Sequence, residues 1–290
     1  MSDINDNRLI RVLTALCCDP WLLSPQIHKQ LTDIVMAHAK GGDFEANQHA
    51  FAVSMGENPA KRKYAIYNST AIIPVDGVIG RKFSSALYSS GVTSSDVLDR
   101  MIQTAAADEQ IDSIMIVFDS PGGMAMGSPE VAQTIKAATE KKPVMAFADG
   151  LMCSAAYWMA SQANVIYAMT SADTGCIGCY CAVLDEHRYA EMNGLKVKMF
   201  NAGAKYKGMG YPGTELTKEQ EDIIAQRVKA ISDNFKAAVR SGRGPIADNV
   251  MEGQSFNSAD ALANGLIDGI TTWDEALRDL QSLTKMRGRR

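Results

Sequence analysis

From residue 65 onward, short apolar runs typical of buried strands alternate with segments that have helical spacing. The run at 113–118 is rich in β-branched residues and ends in turn formers at 119–123. Strands are predicted at 71–75, 113–118, 143–147, 165–168 and 197–200, and helices at 94–107, 128–140, from about 153 and at 217–240. Because strands that alternate with helices form a mainly parallel sheet with helical crossovers, we predict an α/β fold.

The first 64 residues differ from the rest, and we predict a small helical N-terminal segment followed by a linker. Apolar residues recur at helical spacing between 8 and 40, with a break near Pro20. Residues 41–64 are polar and rich in turn formers. We therefore expect three parts, which are the segment and linker at 1–64, a main domain at 65–270, and a C-terminal helix with a basic tail at 271–290.

Charge and hydropathy exclude two classes of partner. The 290 residues carry a formal net charge of −4, which gives no electrostatic basis for binding nucleic acid. The longest apolar stretches hold about 10 residues, whereas a membrane-spanning helix needs roughly 20. The N-terminus lacks the basic and apolar regions of a signal peptide. We expect a cytoplasmic protein with neither a membrane nor a nucleic acid as partner.

The six cysteines do not resemble the framework of a disulfide-rich secreted protein. Cys176, Cys179 and Cys181 form a cluster, which raises the possibility of a metal site. However, no second pair of Cys or His lies at the spacing of a structural zinc site. We expect these side chains to be small buried apolar groups, with no metal and no other cofactor.

Two predicted strands end in loops that suit acyl chemistry. The strand at 113–118 leads to Gly122-Gly123, and the strand at 143–147 leads to Ser154 at a helix start. Paired glycines can turn backbone N–H groups toward a bound carbonyl, and a helix start favours a developing oxyanion. Each feature also has a purely structural alternative: Ser154 as a helix N-cap, and the glycines as a plain turn.

A serine nucleophile needs a base, and histidine is poorly placed to provide it. Three of the four histidines lie in the N-terminal segment, and His187 follows two acidic residues in a predicted solvated helix start. Lysine is the other candidate, provided that desolvation lowers its pKa. Lys205 and Lys207 lie in the Gly-rich loop 203–210, where the alternative is that both are solvated charges.

Five motifs occur in a characteristic order. They are DSPGG at 119–123, DGLMCSAAYWMAS at 149–161, TGCIG at 174–178, KYK at 205–207 followed by Pro212, and ADALANGLID at 259–268. As an ordered set they resemble the signal peptide peptidase A family of Ser–Lys peptidases, and within it the phage head maturation (prohead) proteases. The resemblance covers about residues 65–270.

The resemblance implies a crotonase-like fold, shared with Clp protease, in which ββα units form a superhelix. It implies that Ser154 is the nucleophile. Lys207 is the implied base because it precedes Pro212 by five residues, as the family lysine precedes its proline. Lys205 remains the second choice, since the loop is one residue longer than the usual pattern when counted from Gly203.

The resemblance also implies an oxyanion hole and one departure from the family. The oxyanion donors fall on Gly122-Gly123, with Gly123 preferred, and on the N–H of Ala155. Cys176 stands where the family usually has a serine that helps to orient the lysine. A thiol is a weaker hydrogen-bonding partner than a hydroxyl, so this support is weakened here.

For the biological role, the resemblance implies a ring-like or dome-like homo-oligomer inside the phage prohead in the host cytoplasm. Its expected substrates are scaffold, portal and capsid proteins. Apolar surface on the helix at 217–240 and on the C-terminal helix is consistent with assembly. The alternatives are a cytoplasmic enzyme that clears signal peptides or other peptides, a catalytically silent assembly protein, and an acyl-CoA enzyme of the crotonase type.

Overall fold

The computed structural model describes residues 21–22, 64–81 and 92–287. Within these ranges the chain forms two β-sheets and seven α-helices. The helices and linker predicted for residues 1–64 lie outside the described residues, apart from Trp21, Leu22 and Tyr64.

The bounds of the elements are as follows. The strands are β1 (Trp21–Leu22), β2 (Ala65–Tyr67), β3 (Thr70–Asp76), β4 (Val78–Gly80), β5 (Val92–Ser94), β6 (Ser113–Ser120), β7 (Gly123–Met124), β8 (Val144–Cys153), β9 (Val165–Ala168), β10 (Asp173–Gly175), β11 (Ser255–Asn257) and β12 (Gly269–Ile270). The helices are α1 (Ser95–Ala107), α2 (Ser128–Lys141), α3 (Ala155–Ala160), α4 (His187–Met192), α5 (Lys218–Arg243), α6 (Ser258–Ala263) and α7 (Trp273–Arg287). None of these helices is both long enough and apolar enough to cross a membrane.

The larger sheet is built around three long parallel strands. Its order is β11-β10-β8-β6-β3-β2. In addition, β9 pairs with the first half of β8, and β12 pairs with β9. The strands β3, β6 and β8 pair in parallel, and most of their side chains are buried. Burial on both faces explains why their sequences are nearly continuous apolar runs.

Successive side chains of the larger sheet enter two separate apolar clusters. Ile114 points into the main core, to which α1, α2, α3 and α5 contribute. Met115 and its partner Met145 enter a second cluster with α7. Trp273 of α7 packs edge-on against Phe147, with ring centroids 5.7 Å apart. Ala276, Leu277 and Leu280 of the C-terminal helix are therefore buried against the protein's own sheet, whereas Met286 near its end is exposed.

The chain twice repeats the order long strand, short strand, helix. The first repeat runs from β3 through β4 and an additional short strand, β5, to α1, and the second runs from β6 through β7 to α2. In each repeat the long strand lies in the larger sheet and the short strand lies in a smaller sheet of order β1-β7-β4-β5. These are the ββα units that the resemblance implied, and the predicted α/β fold class is confirmed.

One predicted strand is wrong, and β10 and β11, which lie beside the site, were not predicted. Residues 197–200 form no strand, and most side chains around them are exposed. An apolar run becomes a strand only where a neighbouring strand accepts its hydrogen bonds, and among the described residues none pairs with it. In contrast, β10 pairs in parallel with the end of β8, and β11 pairs antiparallel with β10.

Candidate active site

Ser154 occupies the sharp turn between the end of β8 and the start of α3. Its backbone has φ 56° and ψ −117°, a conformation that residues other than glycine rarely adopt. Its N–H donates to the carbonyl of Gly175 at 2.7 Å, and its carbonyl accepts from the N–H of Trp158 at 2.8 Å. The side chain makes no capping hydrogen bond to α3, so the N-cap alternative does not account for a serine at this position.

Gly122 lies directly against Ser154. A Cβ atom added to Gly122 would lie 2.8 Å from the Cβ of Ser154 and 2.2 Å from the carbonyl oxygen of Leu22. With φ at +105°, Gly122 also adopts a conformation that favours glycine. The parallel pairing of β6 with β8 brings the loops after 113–118 and 143–147 side by side.

Ser120 fixes the turn that carries these glycines, and sequence reasoning did not single it out. Its buried hydroxyl donates to the carbonyl of Gly77 at 2.6 Å and accepts from the N–H of Gly122 at 3.2 Å. Gly123 then joins the smaller sheet, where an added Cβ would lie 1.9 Å from the carbonyl oxygen of Ile79. The N–H of Gly122 is thus committed to the turn, which favours Gly123 as the donor for a bound carbonyl.

Ala155 is the first residue of α3 and is fully buried. An N–H in the first turn of a helix has no partner within that helix. The N–H of Ala155 is thus available to a ligand. Together with Ser154, Gly122 and Gly123, Ala155 lies at one end of the larger sheet.

Both candidate lysines lie in the exposed loop and not beside Ser154. Lys205 forms an ion pair with Glu219 and lies over the ring of Tyr206 at 5.3 Å. Its hydrogen bond with Glu219 raises the pKa of the Lys205 ammonium. Lys207 is exposed, and its ammonium makes no hydrogen bond or ion pair with any described residue. In this arrangement neither lysine contacts Ser154.

Two thiols flank the site and share a hydroxyl neighbour on β11. Cys153 lies 3.7 Å from the Oγ of Ser255, and burial raises its pKa to about 12. Cys176 has φ 53°, and burial raises its pKa although a hydrogen bond with Ser255 acts in the opposite direction. Both thiols therefore stay protonated at neutral pH. Ser255 was not found from the sequence, because β11 was not predicted.

Three carboxylates lie on neighbouring strands: Asp76 and Asp119 near the carboxyl ends of β3 and β6, and Asp149 within β8. Burial raises the pKa of Asp76, and the neighbouring charges of Asp119 and Asp149 raise it further. Asp119 also accepts a hydrogen bond from the N–H of Leu151 at 3.1 Å, which helps to shape the strand that leads to Ser154.

An open groove of about 770 Å³ lies between residues 179–183 and the first half of α5. Val183, Ile224 and Val228 line it together with polar and charged side chains. Ile224 and Val228 recur at helical spacing with the apolar residues 231, 235 and 239, so the five form one stripe along α5. Of that stripe, only Phe235 and Val239 are fully buried, so the first half of the helix leaves apolar surface uncovered.

A family model for peptidase family S49 matches residues 136–287, which is more than half of the chain. This chain belongs to peptidase family S49. The match includes Ser154, both lysines and α7. It confirms the resemblance to the signal peptide peptidase A family.

Both viral and cellular proteins are among the family relatives. The chain is 27% identical to the capsid assembly protease C of Escherichia phage lambda, over 74% of this chain and 49% of that protein. It is 25% identical to Protease 4 of Haemophilus influenzae, over 86% of this chain and 40% of that protein. The chain thus spans half or less of the length of these two relatives. A solved structure of a ClpP1 mutant from Listeria monocytogenes matches 71% of this chain at 11% identity, with a TM-score of 0.48.

Proposed function

We propose that this chain is a serine endopeptidase in which Ser154 is the nucleophile and Lys207 is the general base. The observation that carries the proposal is the strained turn at Ser154, which is packed against Gly122 and serves no capping role. A strained strand-to-helix turn is a recurrent way of presenting a nucleophilic serine. Neither a silent assembly protein nor an acyl-CoA enzyme of the crotonase type needs a serine held in this conformation.

The chemistry follows from these roles. The Oγ of Ser154 loses its proton to the amine of Lys207 and attacks the carbonyl carbon of a peptide bond. The resulting oxyanion accepts hydrogen bonds from the N–H groups of Gly123 and Ala155. The C–N bond breaks, Lys207 returns the proton to the leaving amine, and water hydrolyses the acyl ester in the same way. Cys176 supports this cycle weakly, because a protonated thiol is a poor partner for an amine.

Lys207 has to approach Ser154 for this reaction, and the segment that carries it has the surface needed for docking. Large exposed apolar side chains are concentrated between residues 183 and 211: Val183, Leu184, Tyr189, Met192, Leu195, Met199, Phe200, Tyr206 and Tyr211. Such a concentration in a soluble chain favours burial against another surface. We propose that a homo-oligomer covers this segment and that Lys207 becomes desolvated beside a Ser154 in the assembled state.

For the substrates, we propose scaffold, portal and capsid proteins that are cut during phage head assembly in the host cytoplasm. The similarity to the capsid assembly protease of phage lambda supports this role. The similarity to Protease 4 keeps a peptide-clearing enzyme as the second candidate.

Two experiments test the proposal. A fluorophosphonate probe is expected to label wild-type protein on Ser154, as mapped by mass spectrometry, and to leave Ser154→Ala unlabelled. Co-expression with the structural proteins encoded by neighbouring genes is expected to produce new termini in those proteins, and these termini should be absent with Ser154→Ala. Intact structural proteins together with rapid degradation of free signal peptides would favour the clearance enzyme.

A further inference from the structure

The proposed nucleophile is covered in the folded chain. Ser154 is only 1% exposed, although a peptidase must bring an extended polypeptide to this residue. A peptide whose carbonyl is to meet Ser154 and Gly123 has to run beside the short strand β7, because β7 continues directly from Gly122. The backbone edge of β7 is therefore the surface that a substrate needs.

The chain's own N-terminal region already occupies that edge. One edge of β7 pairs in parallel with β4, and the other pairs antiparallel with β1. Leu22 is the register partner of Gly123, and Trp21 is the partner of Met124. Two antiparallel residues on a free strand edge are the pairing that a bound peptide makes by strand addition.

Leu22 also lies close to the reacting group. The same added Cβ on Gly122 would collide with both the carbonyl oxygen of Leu22 and the Cβ of Ser154, so these two residues lie against the same face of one glycine. The side chain of Leu22 is fully buried in the main core. The contact thus combines backbone pairing with an aliphatic side chain in a closed apolar environment.

We propose that Trp21–Leu22 is an intramolecular occupant of the substrate strand and that it keeps the enzyme latent until it leaves. This inference rests on the proposed function, and it adds the ligand class of the site. The ligand is an extended peptide with a leucine-sized aliphatic residue opposite Gly123. Since β1 is only two residues long and pairs only with β7 among the described strands, its release disturbs little of the remaining sheet.

A reversible disulfide between β1 and β7 tests whether Trp21–Leu22 blocks the substrate strand. Register partners in an antiparallel pair are close enough for a disulfide, so Trp21→Cys combined with Met124→Cys can fix β1 on β7. The labelling rate of Ser154 by a fluorophosphonate probe is measured in the oxidised and the reduced state. Met124→Cys alone is the control for oxidation of the native cysteines, and peptide mapping verifies the new bond.

We expect the reduced double variant to be labelled at least about tenfold faster than the oxidised form, because labelling follows the fraction of open molecules. Equal rates in the two states would overturn the inference while leaving the nucleophile assignment intact. If Ser154 is labelled in neither state, the proposed function is wrong and the inference is wrong with it.

A second variant works without oxidation. Leu22→Asp places a carboxylate in an apolar environment and is expected to release β1 and speed labelling. A synthetic peptide copying residues 19–24 should slow that labelling again, whereas the same peptide with Asp in place of Leu22 should not. A folded Leu22→Asp protein that is labelled at the wild-type rate would contradict the inference.

Discussion

The indole ring of Trp158 stacks on the ring of Phe235, with centroids 4.7 Å apart and planes 5° from parallel. This contact joins α3, which begins immediately after Ser154, to the long helix α5. Both side chains belong to the main core, so the stack fixes the position of a helix that has only six residues. The turn at Ser154 therefore depends on a helix that is remote in sequence.

Phe235→Ala should lower the free energy of unfolding by about 3–5 kcal/mol, since it removes a buried ring and leaves a cavity beside α3. Urea denaturation is the measurement, and Gln226→Ala on the exposed side of α5 is the matched control. A loss no larger than that of the control would show that α5 does not hold α3 in place.

Ser154→Gly should be more stable than Ser154→Ala by about 1 kcal/mol, because glycine relieves the backbone strain at φ 56° while alanine retains it. Both variants should be inactive, since each lacks the proposed nucleophile. Thermal unfolding of the two proteins provides the comparison. Equal midpoints would argue against a strained turn.

Gly122→Ala should be far more disruptive than Gly244→Ala. Both glycines have positive φ, so each substitution adds conformational strain of about 1–3 kcal/mol. Only at Gly122 does the new methyl group also collide with Leu22 and Ser154, whereas nothing lies within 4 Å at Gly244. Denaturation midpoints and probe labelling should both separate the two variants. A mild Gly122→Ala phenotype would contradict the close packing.

Lys207→Ala should lower peptidase activity by about 10²–10⁴-fold, the range expected for loss of a general base. Lys205→Ala should have a much smaller effect, because its pairing with Glu219 raises its pKa and keeps it charged. Steady-state cleavage of a casein substrate by both variants distinguishes the two residues. If Lys205→Ala is the inactive protein, the count from Pro212 is wrong and Lys205 takes the role of base.

Asp76→Asn should stabilise the protein at neutral pH by a few tenths of a kcal/mol, after allowance for solvent screening. The folded-state pKa of Asp76 is raised above 3.8, so ionisation costs stability as pH rises through that pKa. The gain should therefore disappear in acid, below both pKa values. Asp119→Asn is the contrasting control, since it weakens the hydrogen bond from Leu151 and should destabilise. Denaturation at several pH values tests both.

Local patterns predicted those parts of the fold that depend on neighbouring residues. The apolar runs indicated β6 and β8, and the predicted helix at 217–240 is α5, which begins with a capping box between Thr217 and Gln220. The position of Ser154 at a helix start followed from the same patterns. Each of these features is determined by residues that are close together in the chain, so it can be predicted from the sequence alone.

The remaining parts depend on contacts between distant segments. The strand β11 has a polar sequence and exists because β10 accepts its hydrogen bonds. The strand β1 depends in the same way on β7. Residues 197–200 have strand-like composition but no partner strand among the described residues. The exposure of Lys207 agrees with the alternative that the loop sequence left open, in which both lysines are solvated charges.

The hydrogen bond from Ser154 to Gly175 has a consequence for the timing of synthesis. Gly175 lies on β10, which is held between β8 and β11, and β11 comprises residues 255–257. A ribosome therefore has to add about 100 residues after Ser154 before β11, the strand that pairs with β10, has been synthesised. At typical rates of translation this takes roughly 5–20 seconds. During that interval the nascent chain contains the serine but not the finished turn. Translation itself thus delays the appearance of a competent site until residue 257 has been added.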